Sequence, residues 1–95
     1  IYSLGIITYE MLTGKMPFKV ESDVQYVMSH LMTPVPPISQ DLPPEISLND
    51  KNELDRIFFK VLAKKPEDRY RNAMEFVKDL TQIFHFEINL PWIKL

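Results

Sequence analysis

The sequence predicts an all-α fold on three observations. Apolar residues recur at i, i+3, i+4 and i+7 in three separate stretches, the spacing of a helix with one buried face. A further stretch, at the start of the chain, is apolar on almost every side of a helical wheel. No stretch alternates apolar and polar residues as a half-buried strand would, and no internal repeat is present. The expected helices cover about residues 1–13, 22–33, 49–64 and 72–84, with ends placed to within a few residues.

In the first of these, Ile1, Tyr2, Leu4, Ile6, Ile7, Tyr9, Met11 and Leu12 surround nearly the whole wheel. Only Ser3 and Glu10, two turns apart, share a polar strip. A helix apolar all round is expected to be buried, with polypeptide on most sides. The chain opens inside this pattern at Ile1, without a cap or an initiator Met, so a preceding segment is expected. Gly14 suits the left-handed position that ends helices, and Pro17 prevents continuation. Gly5, in mid-helix, is about 1 kcal/mol less favourable than Ala. Either another backbone packs tightly there, or the glycine is simply tolerated.

The second helix has Ser22 or Asp23 as its cap. Val24, Val27, Met28, Leu31 and Met32 form its apolar stripe, and Thr33-Pro34 stops it. Five prolines between Pro34 and Ser47 fix φ and remove backbone donors, which predicts an extended surface crossover. The third helix begins between Ser47 and Asp50 and carries Leu54, Ile57, Phe58, Val61 and Leu62 on one face. Lys60, Lys64 and Lys65 are placed in its last turns, where the helix dipole favours cations. The fourth opens on Asn72 with Glu75 three residues on, a variant capping box, and buries Ala73, Phe76, Val77, Leu80 and Phe84.

Composition narrows the function. Ninety-five residues make one small domain, 45% hydrophobic and 25% charged. A net charge of −2 without a basic stripe gives no reason to expect nucleic-acid binding. The absence of cysteine removes disulfides and thiolate metal sites and fits a reducing compartment. No apolar run reaches the ~18 residues of a membrane span. His30 and His85 lack carboxylates at metal-ligand spacing and are expected at exposed helix ends.

Two motif blocks carry a resemblance. Tyr2-Ser3-Leu4-Gly5, Tyr9-Glu10-Met11-Leu12-Thr13-Gly14 and Pro17-Phe18 resemble the central F helix of the protein kinase catalytic domain. Leu62-Ala63-Lys64-Lys65-Pro66-Glu67-Asp68-Arg69-Tyr70 resembles the motif that ends that domain. The blocks stand in family order, and the resemblance spans residues 1–84, the F to I helices of the helical C-lobe, without the N-lobe. Tyr2, where many eukaryotic kinases carry Trp, and the Pro34–Pro44 segment are more similar to the bacterial eukaryotic-like serine/threonine kinases. Residues 85–95 form a C-terminal extension with Phe86, Ile88, Leu90, Trp92, Ile93 and Leu95, expected to pack on the domain.

The family's catalytic elements are recognisable, and this sequence has none of them. Its two glycines, Gly5 and Gly14, make no phosphate loop. The Val-Ala-Ile-Lys strand, the His-Arg-Asp loop, Asp-Phe-Gly and Ala-Pro-Glu are absent. The segment is therefore expected to bind no cofactor, metal or catalytic substrate group itself, while ATP and Mg are implied for a full-length parent. The resemblance implies structural roles: Gly5 lies in the F-helix motif, Ile7 and Met11 anchor the hydrophobic spines, and Arg69 pairs with the Glu of the absent Ala-Pro-Glu. For Arg69 the alternative is a solvated charge beside Glu67 and Asp68. Glu10 is the candidate contact for a peptide substrate, its alternative a structural carboxylate near the helix end. The helix near 22–33 matches the family's G helix, a docking surface for protein substrates or a second kinase, although Met28 and Met32 serve equally as core.

Two functional readings follow. In the first, the chain is part of a serine/threonine kinase, partnered by the rest of the kinase domain, and supplies pillar and docking helices rather than chemistry. In the second, it is a truncated kinase remnant acting as a non-catalytic helical interaction module. The paired motifs argue against an unrelated four-helix domain. Three short amphipathic helices must cover helix one, so exposed apolar surface is expected around Ile6, Ile7 or Met11, relieved by self-association or by the Trp92 tail.

Overall fold

The computed structural model describes residues 1–18 and 21–84. Four α-helices are present: α1 (Tyr2–Thr13), α2 (Asp23–Met32), α3 (Leu48–Val61) and α4 (Ala73–Ile83). Two 3₁₀ turns, Ile38–Asp41 and Pro66–Asp68, lie in the connections, and no strand occurs among the described residues. The expected all-α class and the four periodic segments agree with this order. The extension at 85–95, with Trp92 and His85, lies outside the described residues.

Local chemistry sets the helix ends. Gly14 takes φ 72°, and its N–H donates to the Glu10 carbonyl at 2.7 Å, closing α1 in the left-handed geometry glycine adopts without strain. Ser22, Ser47 and Asn72 each accept a backbone N–H with a side-chain oxygen, from Gln25, Asp50 and Glu75 respectively. Thr33 is extended ahead of Pro34, and so is Lys65 ahead of Pro66, as a following proline ring requires.

The core gathers around α3. Leu54, Ile57, Phe58 and Val61 are fully buried, in agreement with the expected stripe. The Phe58 ring meets Tyr9 of α1 edge-on at 5.9 Å and Phe76 of α4 at 6.0 Å, linking three helices through aromatic contacts worth about 0.5–1.5 kcal/mol each. Tyr70 donates its hydroxyl to Asp79 Oδ2 at 2.7 Å and fixes α4 against the segment that leads into it.

Several expectations change. α3 ends at Val61, so Lys60 alone of the three lysines occupies its last turn. The chain must leave helical geometry before Pro66, which places Lys64 and Lys65 in the connection. The proline-rich crossover is not merely a surface strap: Ile38 and Leu42 belong to the core, and the Asp55 carboxylate accepts the Ser39 N–H at 2.9 Å beneath it. On α4 only Phe76 is fully buried. Leu80 and Phe84 are half-buried against the core, while Ala73 and Val77 are exposed. α2 buries no residue, and its apolar stripe, Val24 to Met32, stays exposed.

Candidate functional site

Burial around α1 divides its apolar wheel in two. Gly5, Ile6 and Tyr9 face α3 and are buried. A Cβ on Gly5 would stand 2.9 Å from Leu62 Cδ2 and 3.0 Å from both Val61 Cγ atoms, so glycine is needed for close approach. The neighbours are side chains at the end of α3, not another backbone. The opposite face is open. Ser3, Ile7, Glu10 and Met11 follow i, i+4, i+7 and i+8, and all four are exposed. Ile7 is 55% and Met11 79% accessible, whereas Ile6 is buried. The expectation of all-round burial thus fails on one face, and the apolar surface expected around Ile6, Ile7 or Met11 is found at the latter two. Glu10 stands on that same face, which brings three of the five candidate residues together.

The open face continues into a groove of about 440 Å³ between α1 and α2. Ile6 and Ile7 line it from α1, and Val27 and Leu31 from α2. At its margin Tyr2 and His30 are hydrogen-bonded through the phenol oxygen and Nδ1. His30 is not an exposed helix-end residue. Tyr2, Phe18 and Tyr26 all meet its ring edge-on, with centroids 4.3–5.5 Å away. Its Nε2 is buried and has no hydrogen-bond partner among the described residues. Burial, and secondarily the nearby Lys64 ammonium, lowers the imidazole pKa below its ordinary value. Burial also pushes the Tyr2 hydroxyl up, opposed by the charge of Arg69.

Arg69 and Lys64 bind this cluster to the end of α3. Arg69 donates from Nε to the Ala63 carbonyl at 2.7 Å and from Nη2 to the Lys64 carbonyl at 3.1 Å. Its guanidinium lies 4.6 Å from the Tyr2 ring centroid, in cation–π contact. Lys64 Nζ donates to the Ser29 carbonyl of α2 at 3.0 Å and stands 4.7 Å from the Phe18 ring. Sequence reasoning placed Tyr2, Lys64 and Arg69 in motifs and His30 at an exposed helix end, but missed that the four meet. Their hydrogen bonds join residues up to 35 positions apart, for which no local spacing gives a signal.

The described residues contain no group of three or more His, Asp or Glu side chains able to hold a metal ion. No helix among them is long and apolar enough to cross a membrane. Among the described residues the site brings together an apolar face, the Glu10 carboxylate and the aromatic cluster around His30.

No protein-family model matches the chain. Curated relatives do. A probable serine/threonine-protein kinase of Clostridium acetobutylicum is 36% identical over 92 residues, 94% of this chain. The serine/threonine-protein kinase PknB of Mycobacterium tuberculosis is 38% identical over 88 residues, 92% of this chain. The serine/threonine-protein kinase Pkn1 of Myxococcus xanthus is 37% identical over 76 residues, 80% of this chain. The chain spans 13% of the length of the first two and 10% of the third. It is thus related to the serine/threonine protein kinases as a segment, not as a whole catalytic unit. Its all-helical architecture is that of the helical C-terminal part of a kinase C-lobe.

Proposed function

We propose that this chain is part of a serine/threonine protein kinase whose full-length parent transfers the γ-phosphate of ATP to protein hydroxyls. The segment supplies a structural pillar and a docking helix, and the rest of the kinase domain supplies the phosphate and magnesium ligands. What carries this reading is the identity of 36–38% with such kinases over more than nine-tenths of the chain. The open face of α1 supports it. Ile7 and Met11 are apolar and exposed, as positions that anchor a further layer of the domain would be in its absence. Glu10, on the same face, is suited to a basic residue of a peptide substrate.

Arg69 spends two of its five donors on carbonyls and keeps its Nη1 donors for the carboxylate that the family motif assigns to it. The exposed stripe of α2 supports docking of a protein substrate or second kinase. The compartment that fits is the cytoplasm. Alone, the segment is suited to self-association through its apolar faces. The same exposed stripe also favours a second reading, a kinase remnant that acts only as an interaction module.

One experiment separates the two. The coding region that includes the upstream sequence is expressed, and transfer of radiolabelled γ-phosphate to protein is measured beside the 95-residue chain. The expected result is magnesium-dependent transfer by the long form only, with no saturable ATP binding by the chain alone in calorimetry. Micromolar ATP binding by the chain alone refutes the division of labour. A long form without transfer activity favours the remnant.

A further inference from the structure

α2 is attached to the molecule in an unusual way: it contributes no buried residue, and its apolar stripe stays exposed, with Val27 and Leu31 only lining the open groove toward α1. Its inward ties are polar and aromatic. His30 inserts among Tyr2, Phe18 and Tyr26 and shares a hydrogen bond with the Tyr2 hydroxyl, and the Ser29 carbonyl accepts Lys64 Nζ. We infer that His30 is a pH-sensitive latch that holds α2 against α1 while its imidazole is neutral and releases the helix on protonation.

The argument rests on where the proton would go. In the neutral ring, Nδ1 is satisfied by Tyr2 and Nε2 is buried with no partner among the described residues. The imidazolium needs an acceptor at both nitrogens. The groups facing the ring offer no compensating charge. Tyr2 on α1 and Tyr26 on α2 are neutral phenols, Phe18 in the connection is apolar, and Lys64 beyond α3 is a cation. A second cation, Arg69, lies on the Tyr2 ring. A protonated His30 would therefore be a buried cation beside cations, and undocking into water relieves it.

The sign follows from the direction of the shift. Docking lowers the imidazole pKa, so docking is fully favourable above the free value of about 6.5 and weakens as pH falls below it.

Hydrogen exchange on the full chain tests the inference. Amide protection from Tyr26 to Met32 is compared with protection in α3, as an internal reference for global unfolding, at about pH 7.5 and about pH 5.5, either side of the free imidazole value. The expected result is a reversible loss of α2 protection at the lower pH while α3 holds. H30F keeps a ring but cannot titrate, and it is expected to abolish the loss even though His85 remains. An equal loss in H30F, or no loss in the unaltered chain, overturns the inference. Should H30F fail to fold, the NMR titration of His30 in the unaltered chain decides: a value below 6.5 supports the latch, and one at or above it refutes it.

Discussion

Replacing Gly5 by alanine sets two effects of opposite sign against each other. On an isolated helix, Gly5→Ala is favourable by about 1 kcal/mol, because alanine loses less backbone entropy. Here the new Cβ arrives 2.9 Å from Leu62 Cδ2 and 3.0 Å from Val61 Cγ1 and Cγ2. Leu62 has a flexible end and can turn. Val61 cannot easily do so: it is β-branched, fully buried and held on the last turn of α3. Overpacking of this kind costs about 1–3 kcal/mol. The balance is a net destabilisation of about 1 kcal/mol, a fall of about 4–8 °C in the melting midpoint of a domain this size.

Far-UV circular dichroism during heating reads it, with Val61→Ala and the double variant completing a thermodynamic cycle. Val61→Ala opens the space that the new methyl needs. The double variant should therefore be more stable than the sum of the two single losses predicts, with positive coupling of at least ~0.5 kcal/mol. A Gly5→Ala protein that melts several degrees higher than the parent would show that helix propensity dominates. The close approach of α1 and α3 would then be no constraint on the sequence.

Two further outcomes are expected. Tyr70→Phe deletes the hydroxyl that Asp79 accepts at 2.7 Å and leaves that partly solvated carboxylate oxygen with the Arg56 guanidinium at 3.9 Å; a loss of about 1.5 kcal/mol in urea unfolding, the low end for a hydrogen bond to a charged group, is expected. Met11→Gln should change the stability of this chain by no more than about 0.5 kcal/mol, since the side chain is 79% accessible, whereas in the proposed kinase parent it should lower phosphate transfer.

The helices were legible because their signals are local. Ser22, Ser47, Asn72 and Gly14 each act within four residues of themselves, and the Leu54–Val61 stripe needs only its own helix to be seen. What was not legible depends on which partner is present. Ile38 and Leu42 are core residues, yet a single apolar pair in a proline-rich segment is too little to establish a period. The α2 stripe has the spacing of a buried face and is nevertheless exposed, because amphipathicity states that a face is apolar but not that this chain covers it. For α1 the wheel carried one direction, the narrow Ser3–Glu10 strip, which lies on the open face; it gave no sign that Ile7 and Met11 would be open beside it. Its inner side was decided by Gly5, the one position where α3 approaches too closely for a side chain. Arg69 was located by motif, but its use on the Ala63 and Lys64 carbonyls follows from where α3 ends, three residues earlier than the sequence pattern suggested for the lysine-rich turn.

The composition of the open α1 face limits what can cover it. Its inner side, at Gly5, Ile6 and Tyr9, already secures the helix to α3, so Ile7 and Met11 are not needed to hold it there. Full burial of two such side chains is worth about 1.5–3 kcal/mol each, enough to reward a covering segment. Glu10 borders them on the same face, and an unpaired carboxylate taken out of water costs several kcal/mol. A cover that buries Ile7 and Met11 must therefore stop short of Glu10 or bring it a donor. The first arrangement leaves a carboxylate at the rim of an apolar seam, open to a basic side chain from a bound protein. The second makes Glu10 part of the internal joint. Both fit a kinase lobe whose remaining layers lie against α1. They differ in one respect: Glu10→Gln would weaken peptide binding in the first and the stability of the whole domain in the second.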